Sequence, residues 1–306
     1  MTTDAIASSR IITLSRKVLD DSIAEFDANA DDYGQKPGAT SPQKTEQTAI
    51  NRGSDDRAKA RRFLWRAGNS VAGYTAAGAR DYILSTITLL EGSRIPLYAA
   101  SLLSRAACEA AALANYLMEP ELSIERRLLR YGVTILNDHK DRARAAKEFP
   151  AGSAMGRAGF LASLESDCDH FAQRLRDCGF TVTKDVVESK AGDRETIRPA
   201  LTDMAKRLLP NRPAYYNSLS SISHSRPWAL AGAMVGEAED GTPAIAPNRF
   251  ELGAAALLEL DAITALDRLW AVRCGRDPEP AAKKYRQRTK ALDNVILDLW
   301  QASSGG

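Results

Sequence analysis

The sequence predicts an all-α protein: a single bundle of about eight to nine helices, preceded by an N-terminal helical arm. Three observations predict it. Apolar residues recur at three- and four-residue spacing over most of the chain, as expected of helices with one buried stripe. The polar interruptions carry helix punctuation, including Ser54-Asp-Asp, Ser123, Pro150, Gly179 and the prolines at 210, 213 and 227. No strand series stands anywhere that could build a sheet. Phe180 to Glu195, with its TVT and VV, offers at most one minor strand.

Taken in order, residues 10 to 30 place Ile11, Leu14, Val18, Leu19, Ile23 and Phe26 at helical spacing and form the arm. The following stretch, DDYGQKPGATSPQKTEQTAINRGSDD, reads as a polar linker rich in turn formers. Residues 1–53 are therefore expected as arm and flexible linker, and 54–304 as the bundle domain. Within the bundle, SDDRAKARRFLWRAGN and VAGYTAAGARDYILSTITLLEGS read as two successive helices. A long amphipathic helix follows Ser123 up to Pro150, and another ends at Gly179. Two shorter helices lie between the later prolines. The segment 236–249, GEAEDGTPAIAPNR, reads as a long loop able to act as a lid. Two long helices close the chain.

Composition excludes little. The 306 residues are 44% apolar and 26% charged, with a formal charge of +2, so no global field favours nucleic acid or an acidic membrane. Cys108, Cys168, Cys178 and Cys274 show no metal-ligand spacing and read as free thiols of a cytoplasmic protein. The N-terminus lacks the apolar core of a signal peptide. No Gly-rich phosphate loop or serine elbow occurs, and no cofactor is expected. Asp167 and His170 have half the spacing of a carboxylate di-iron site, but the second half is missing. RAKARRFLWR, ERRLLR and KKYRQRTK are basic stripes suited either to a phosphate backbone or to a solvated helix face.

The run from Ile95 to Met118 is apolar nearly all round and is expected to be the buried central helix. It is long enough to span a bilayer, but Arg105, Glu109 and Asn115 argue for a protein core instead. Arg105 and Glu109 stand four residues apart on one face, where buried charge is costly unless paired. Downstream, Tyr216, Ser220 and His224 repeat at four-residue spacing within a serine-rich segment that ends at Arg226. One face of that helix would then present tyrosine, serine and histidine inward to meet Arg105 and Glu109. Glu109 would orient His224 as general acid/base, and Arg105 would stabilise an anion. Tyr216, Ser220 and Arg226 would hold the ligand. The plainer reading has the same side chains satisfying one another as packing.

The pairing of R-x-x-x-E (Arg105, Glu109) with Y-x-x-x-S-x-x-x-H (Tyr216, Ser220, His224) resembles uncharacterised bacterial proteins related to HEPN domains. The resemblance spans roughly residues 75 to 230 and implies a helical bundle with a polar centre and a defence or stress role. Many HEPN domains cut RNA, so an anionic ligand or RNA is the partner it implies. The arginine that precedes the histidine by four to six residues in active HEPN nucleases is absent here. Two further readings stand beside it. One is a non-catalytic interaction protein, pairing with itself or a partner by helix packing; the other is a helical enzyme enclosing a small organic substrate under the 236–249 loop.

Overall fold

The computed structural model describes residues 3–35, 37–148, 157–198, 200–231, 234–237 and 242–304. The described residues form eleven helices, a three-stranded antiparallel sheet and a two-stranded hairpin, an essentially all-α fold. Two compact units are present. The first takes residues 1–38, 75–115 and 201–306, and the second takes 39–74 and 116–200. This division cuts across the expected one at residue 53.

In the first unit, α1 (Thr3–Gln35) lies along α10 (Arg249–Arg273) and also packs on α11 (Glu279–Ser304). The expected arm is thus part of a core, with Ile11, Val18, Leu19, Ile23 and Phe26 all buried. Helix α10 is buried on almost every side, from Leu252 to Arg273. The central helix of this unit is therefore α10, not the 95–118 run. Gly253 explains how tightly α10 is enclosed: a Cβ there would come within 2.9 Å of both Ile11 and Ile296 side chains. The run from 95 instead becomes α4 (Ala99–Met118), of which residues 99–115 belong to this unit. Its Ala107, Cys108, Ala111, Ala112 and Ala114 are buried, whereas Leu102 on the other side is exposed.

The two helices expected between 54 and 93 are one, α3 (Asp56–Glu91). Asn69 and Ser70 do not break it, because Asn69 donates its amide to the Trp65 carbonyl one turn back (2.7 Å). Helices α7 (Leu201–Leu208), α8 (Pro213–Ser223) and the short α9 (Pro227–Leu230) complete the first unit, with strands β4 (Met234–Glu237) and β5 (Pro243–Ile245). The expected 236–249 loop thus includes part of a hairpin and the first residue of α10, and its residues 238–241 lie outside the described residues.

In the second unit the expected linker contains a helix, α2 (Pro42–Ile50), started by the Ser41 hydroxyl accepting from the Lys44 amide at 3.3 Å. Helix α5 (Ile124–Lys147) is capped by Ser123 as expected, while Pro150 lies outside the described residues. It packs against α6 (Arg157–Asp177). Where α3 passes α5, a Cβ at Gly68 would fall 2.0 Å from the Tyr131 ring, so glycine is what permits the contact.

The stretch after Gly179 holds three strands rather than one: β1 (Thr181–Val182), β2 (Val186–Glu188) and β3 (Arg194–Thr196), in that order. The strands are two or three residues long, too short for alternation to register. Their turns are held by Thr183, which accepts from the Val186 amide, and by the left-handed Gly192.

Candidate functional site

The first candidate centre lies in the first unit, between α4 and α8. Arg105 and Glu109 stand one turn apart on α4, with Arg105 Nε 2.8 Å from Glu109 Oε1. The pair is sheltered rather than fully buried, its side chains being 18% and 27% exposed. The expectation of full burial fails because α4 is covered on one face only. Helix α8 begins with Pro213 in its first turn and turns Tyr216, Leu219 and Ile222 inward. Tyr216 is fully buried, and its hydroxyl donates to the same Glu109 Oε1 at 3.0 Å. Burial and the Glu109 charge push the Tyr216 phenol above its ordinary pKa, against the opposing influence of Thr202 and Arg105.

The remaining expected members do not join them. Ser220 is half-buried, and its hydroxyl bonds to no described residue. His224 lies exposed at the C-cap of α8, where its backbone amide donates to the Ser220 carbonyl at 3.2 Å. Its ring makes no hydrogen bond or ion pair with any described residue. Helix α8 ends at Ser223, and Ser225 adopts a left-handed φ of 52°. The inward face projected by the four-residue spacing therefore ends before it reaches His224. Arg226 is exposed at the start of α9. The arrangement ties two helices together with one shared carboxylate oxygen. Arg105 pairs with Glu109, and among the described residues no histidine bonds to either.

Sequence reasoning passed over the carboxylates of α10. Glu259 is fully buried, and one oxygen accepts from the Thr86 hydroxyl of α3 at 2.7 Å. Burial pushes its pKa well above the usual carboxylate range, against the opposing bond from Thr86. Asp267, two turns further on, accepts from the Asn29 amide of α1 at 2.9 Å. Burial raises it to about 6, although bonds with Asn29 and Tyr285 oppose the shift. Arg212, just before α8, bonds to Asp261 of α10 at 3.0 Å and to both oxygens of Asp293 of α11 at 3.2 and 2.9 Å. The same apolar-run reasoning that singles out Arg105 and Glu109 applies to FELGAAALLELDAITALDRLWAVRCG. Glu259, however, has no opposite charge one turn away to draw the eye.

In the second unit, the arginines of ERRLLR close the carboxyl end of α4. Arg127, fully buried, donates to the Leu117 and Glu119 carbonyls at 2.9 and 2.6 Å and pairs with Glu46 at 2.7 Å. Arg130 donates to the Tyr116 carbonyl at 2.7 Å, stacks on the Tyr116 ring and bridges Glu119 and Glu195. Free helix carbonyls and a negative dipole end explain why cations gather there. The other basic stripes are occupied in part: Arg61 pairs with Glu125, and Lys284 and Arg288 pair with Glu25, while Arg62 donates to the Gly53 carbonyl and keeps its charge.

Asp167 and His170 are exposed on α6, and among the described residues no three potential metal ligands converge. All four cysteines are free. Beside the 236–249 segment, a hollow of about 780 Å³ is bordered by Ala246, Pro247 and residues 93–97, with Arg94 its one ionisable side chain among the described residues. No described helix is long and apolar enough to cross a membrane. Comparison of the chain with known protein families, curated proteins and solved structures finds no match.

Proposed function

We propose that this chain is a non-catalytic helical interaction protein in which the Arg105–Glu109–Tyr216 centre is structural. The observation that carries this reading is the sharing of Glu109 Oε1 by Arg105 and the buried Tyr216 hydroxyl, with the His224 ring outside the group. A catalytic centre needs its acid/base within about 3 Å of the group it serves. Here the one histidine offered by the helix is solvated, and the one arginine is already neutralised. The pairing of Arg61 with Glu125 and of Lys284 and Arg288 with Glu25 adds support, since it leaves a polyanion-binding face fewer cations with charge to spare.

The HEPN-like reading, with an anionic ligand or RNA as partner, draws on a different observation. His224 and Arg226 lie exposed on one short turn, followed by the exposed Trp228, where an anion and a stacking base can reach them.

One experiment separates the two. On the interaction-protein reading, Glu109→Gln lowers the melting temperature, His224→Ala leaves it unchanged, and single-stranded RNA stays intact with either protein. Cleavage of that RNA by the wild type, lost in His224→Ala, would overturn the reading.

A further inference from the structure

The second unit contains a groove of about 950 Å³ walled by α5, α6 and the edge of the three-stranded sheet. Ala143 and the buried Val186 and Ile197 line its apolar part. Lys140, Arg144 and Lys147 come from α5 at four- and three-residue spacing, so one helix face brings all three to it. Lys184 and Arg198 come from the sheet. Val186 pairs with Thr196, and the Ile197 amide donates to the Asp185 carbonyl at 2.9 Å. Lys184 stands in the turn between β1 and β2, and Arg198 lies two residues past the end of β3, so both are brought to the same end of the sheet.

The charges of this groove are also unevenly spent. Lys147 pairs with Glu165 at 3.5 Å, and Arg144 with Asp141 at 2.8 Å. Lys140 is instead held by the Lys184 carbonyl at 2.8 Å, which fixes its ammonium without neutralising it. Lys184 and Arg198 form no ion pair with a described residue. Three of the groove's cations thus carry no ion pair with a described residue, although Asp185 lines it beside Lys184 and Glu165 and Asp169 of α6 line it from the other helix.

The geometry points to a binding site for a phosphate-bearing small molecule, with the phosphate at the Lys140–Lys184–Arg198 corner. The apolar lining suits a ring attached to that phosphate, and the α6 carboxylates suit its hydrogen-bond donors, which is the chemistry of a nucleotide. The volume matches a ligand of this size, since small-molecule pockets run from roughly 300 to 1,000 Å³. This site is separate from the Arg105–Glu109–Tyr216 centre and does not rest on the reading of that centre.

Titration calorimetry with inorganic pyrophosphate and with ATP, at low and at high salt, tests it. Saturable binding that weakens with salt is expected from the wild type. The Lys184→Ala/Arg198→Ala double variant should weaken it about tenfold or more, without lowering the melting temperature, because both side chains are exposed and neither forms an ion pair with a described residue. The Lys184→Arg/Arg198→Lys exchange keeps both charges and should retain binding. ATP binding tighter than pyrophosphate assigns the ring to the apolar lining, and equal affinity assigns the site to the phosphate alone. No saturable binding of either probe, binding unchanged in the alanine variant, or binding of single-stranded RNA with neither small probe overturns the proposal.

Discussion

At the residue scale, the energetics concentrate on polar atoms in sheltered places. Tyr216→Phe keeps the ring and removes the hydroxyl with its bonds to Glu109 and Thr202, so chemical denaturation should show a loss of about 1 kcal/mol or somewhat more. His224→Ala, at an exposed helix end, should stay within about 0.5 kcal/mol of the wild type in the same measurement. Asp267 makes a prediction with the opposite sign from ordinary acid denaturation. Its pKa rises to about 6 in the folded state, from the ordinary aspartate value of 3.8, so the folded protein binds the extra proton between those values. Its contribution is therefore greatest on the acid side and declines as pH climbs through about 6, by ~3 kcal/mol in all. Glu259 is shifted in the same direction. Urea midpoints measured between about pH 4 and pH 7.5 should show this slope, and Asp267→Asn should flatten it. A slope unchanged in that variant would mean that Asp267 is ionised throughout the range.

At the element scale, the closure of α4 by arginines from α5 is the most consequential contact of the second unit. Arg127→Ala removes two carbonyl bonds and the ion-pair partner of the buried Glu46, which keeps the bond from Trp65 Nε1 at 3.4 Å. Breaking such a buried pair costs roughly 3–5 kcal/mol, and adding Glu46→Gln should recover part of it in a double-mutant cycle. Helix starts and stops are legible where a capping hydroxyl, a proline or a left-handed glycine punctuates the chain, as at Ser123, Pro213 and Gly179. The three short strands are not, because two or three residues cannot show a period. Helix α3 was read as two helices because Asn69 and Ser70 look like a break in sequence. In the fold, the Asn69 amide bonds back to its own helix and Gly68 gives room to Tyr131, so the local preference is overridden.

At the scale of the whole molecule, α1 belongs to the core of the first unit. Removing residues 1–38 would uncover the face of α10 covered by Ile11, Val18, Leu19, Ile23 and Phe26. At about 2 kcal/mol for each buried side chain, that is ~10 kcal/mol, comparable with the whole stability of a typical domain. A chain starting at residue 39 should therefore lose the cooperative thermal transition of this unit by circular dichroism. Retention of that transition would show that α1 is an appended arm after all.

The amino-acid order alone fixed the helical class and most helix boundaries, and it turned the Tyr216 face of α8 towards Arg105 and Glu109. Each of these follows from short-range periodicity, caps and the cost of burying charge. Packing decided that α10 rather than α4 is enclosed, that α1 is core, and that His224 faces water. Two apolar runs of similar composition compete for the centre, and their neighbours settle which one is covered. A face projected from four-residue spacing lasts only as long as its helix, and α8 stops one residue before His224.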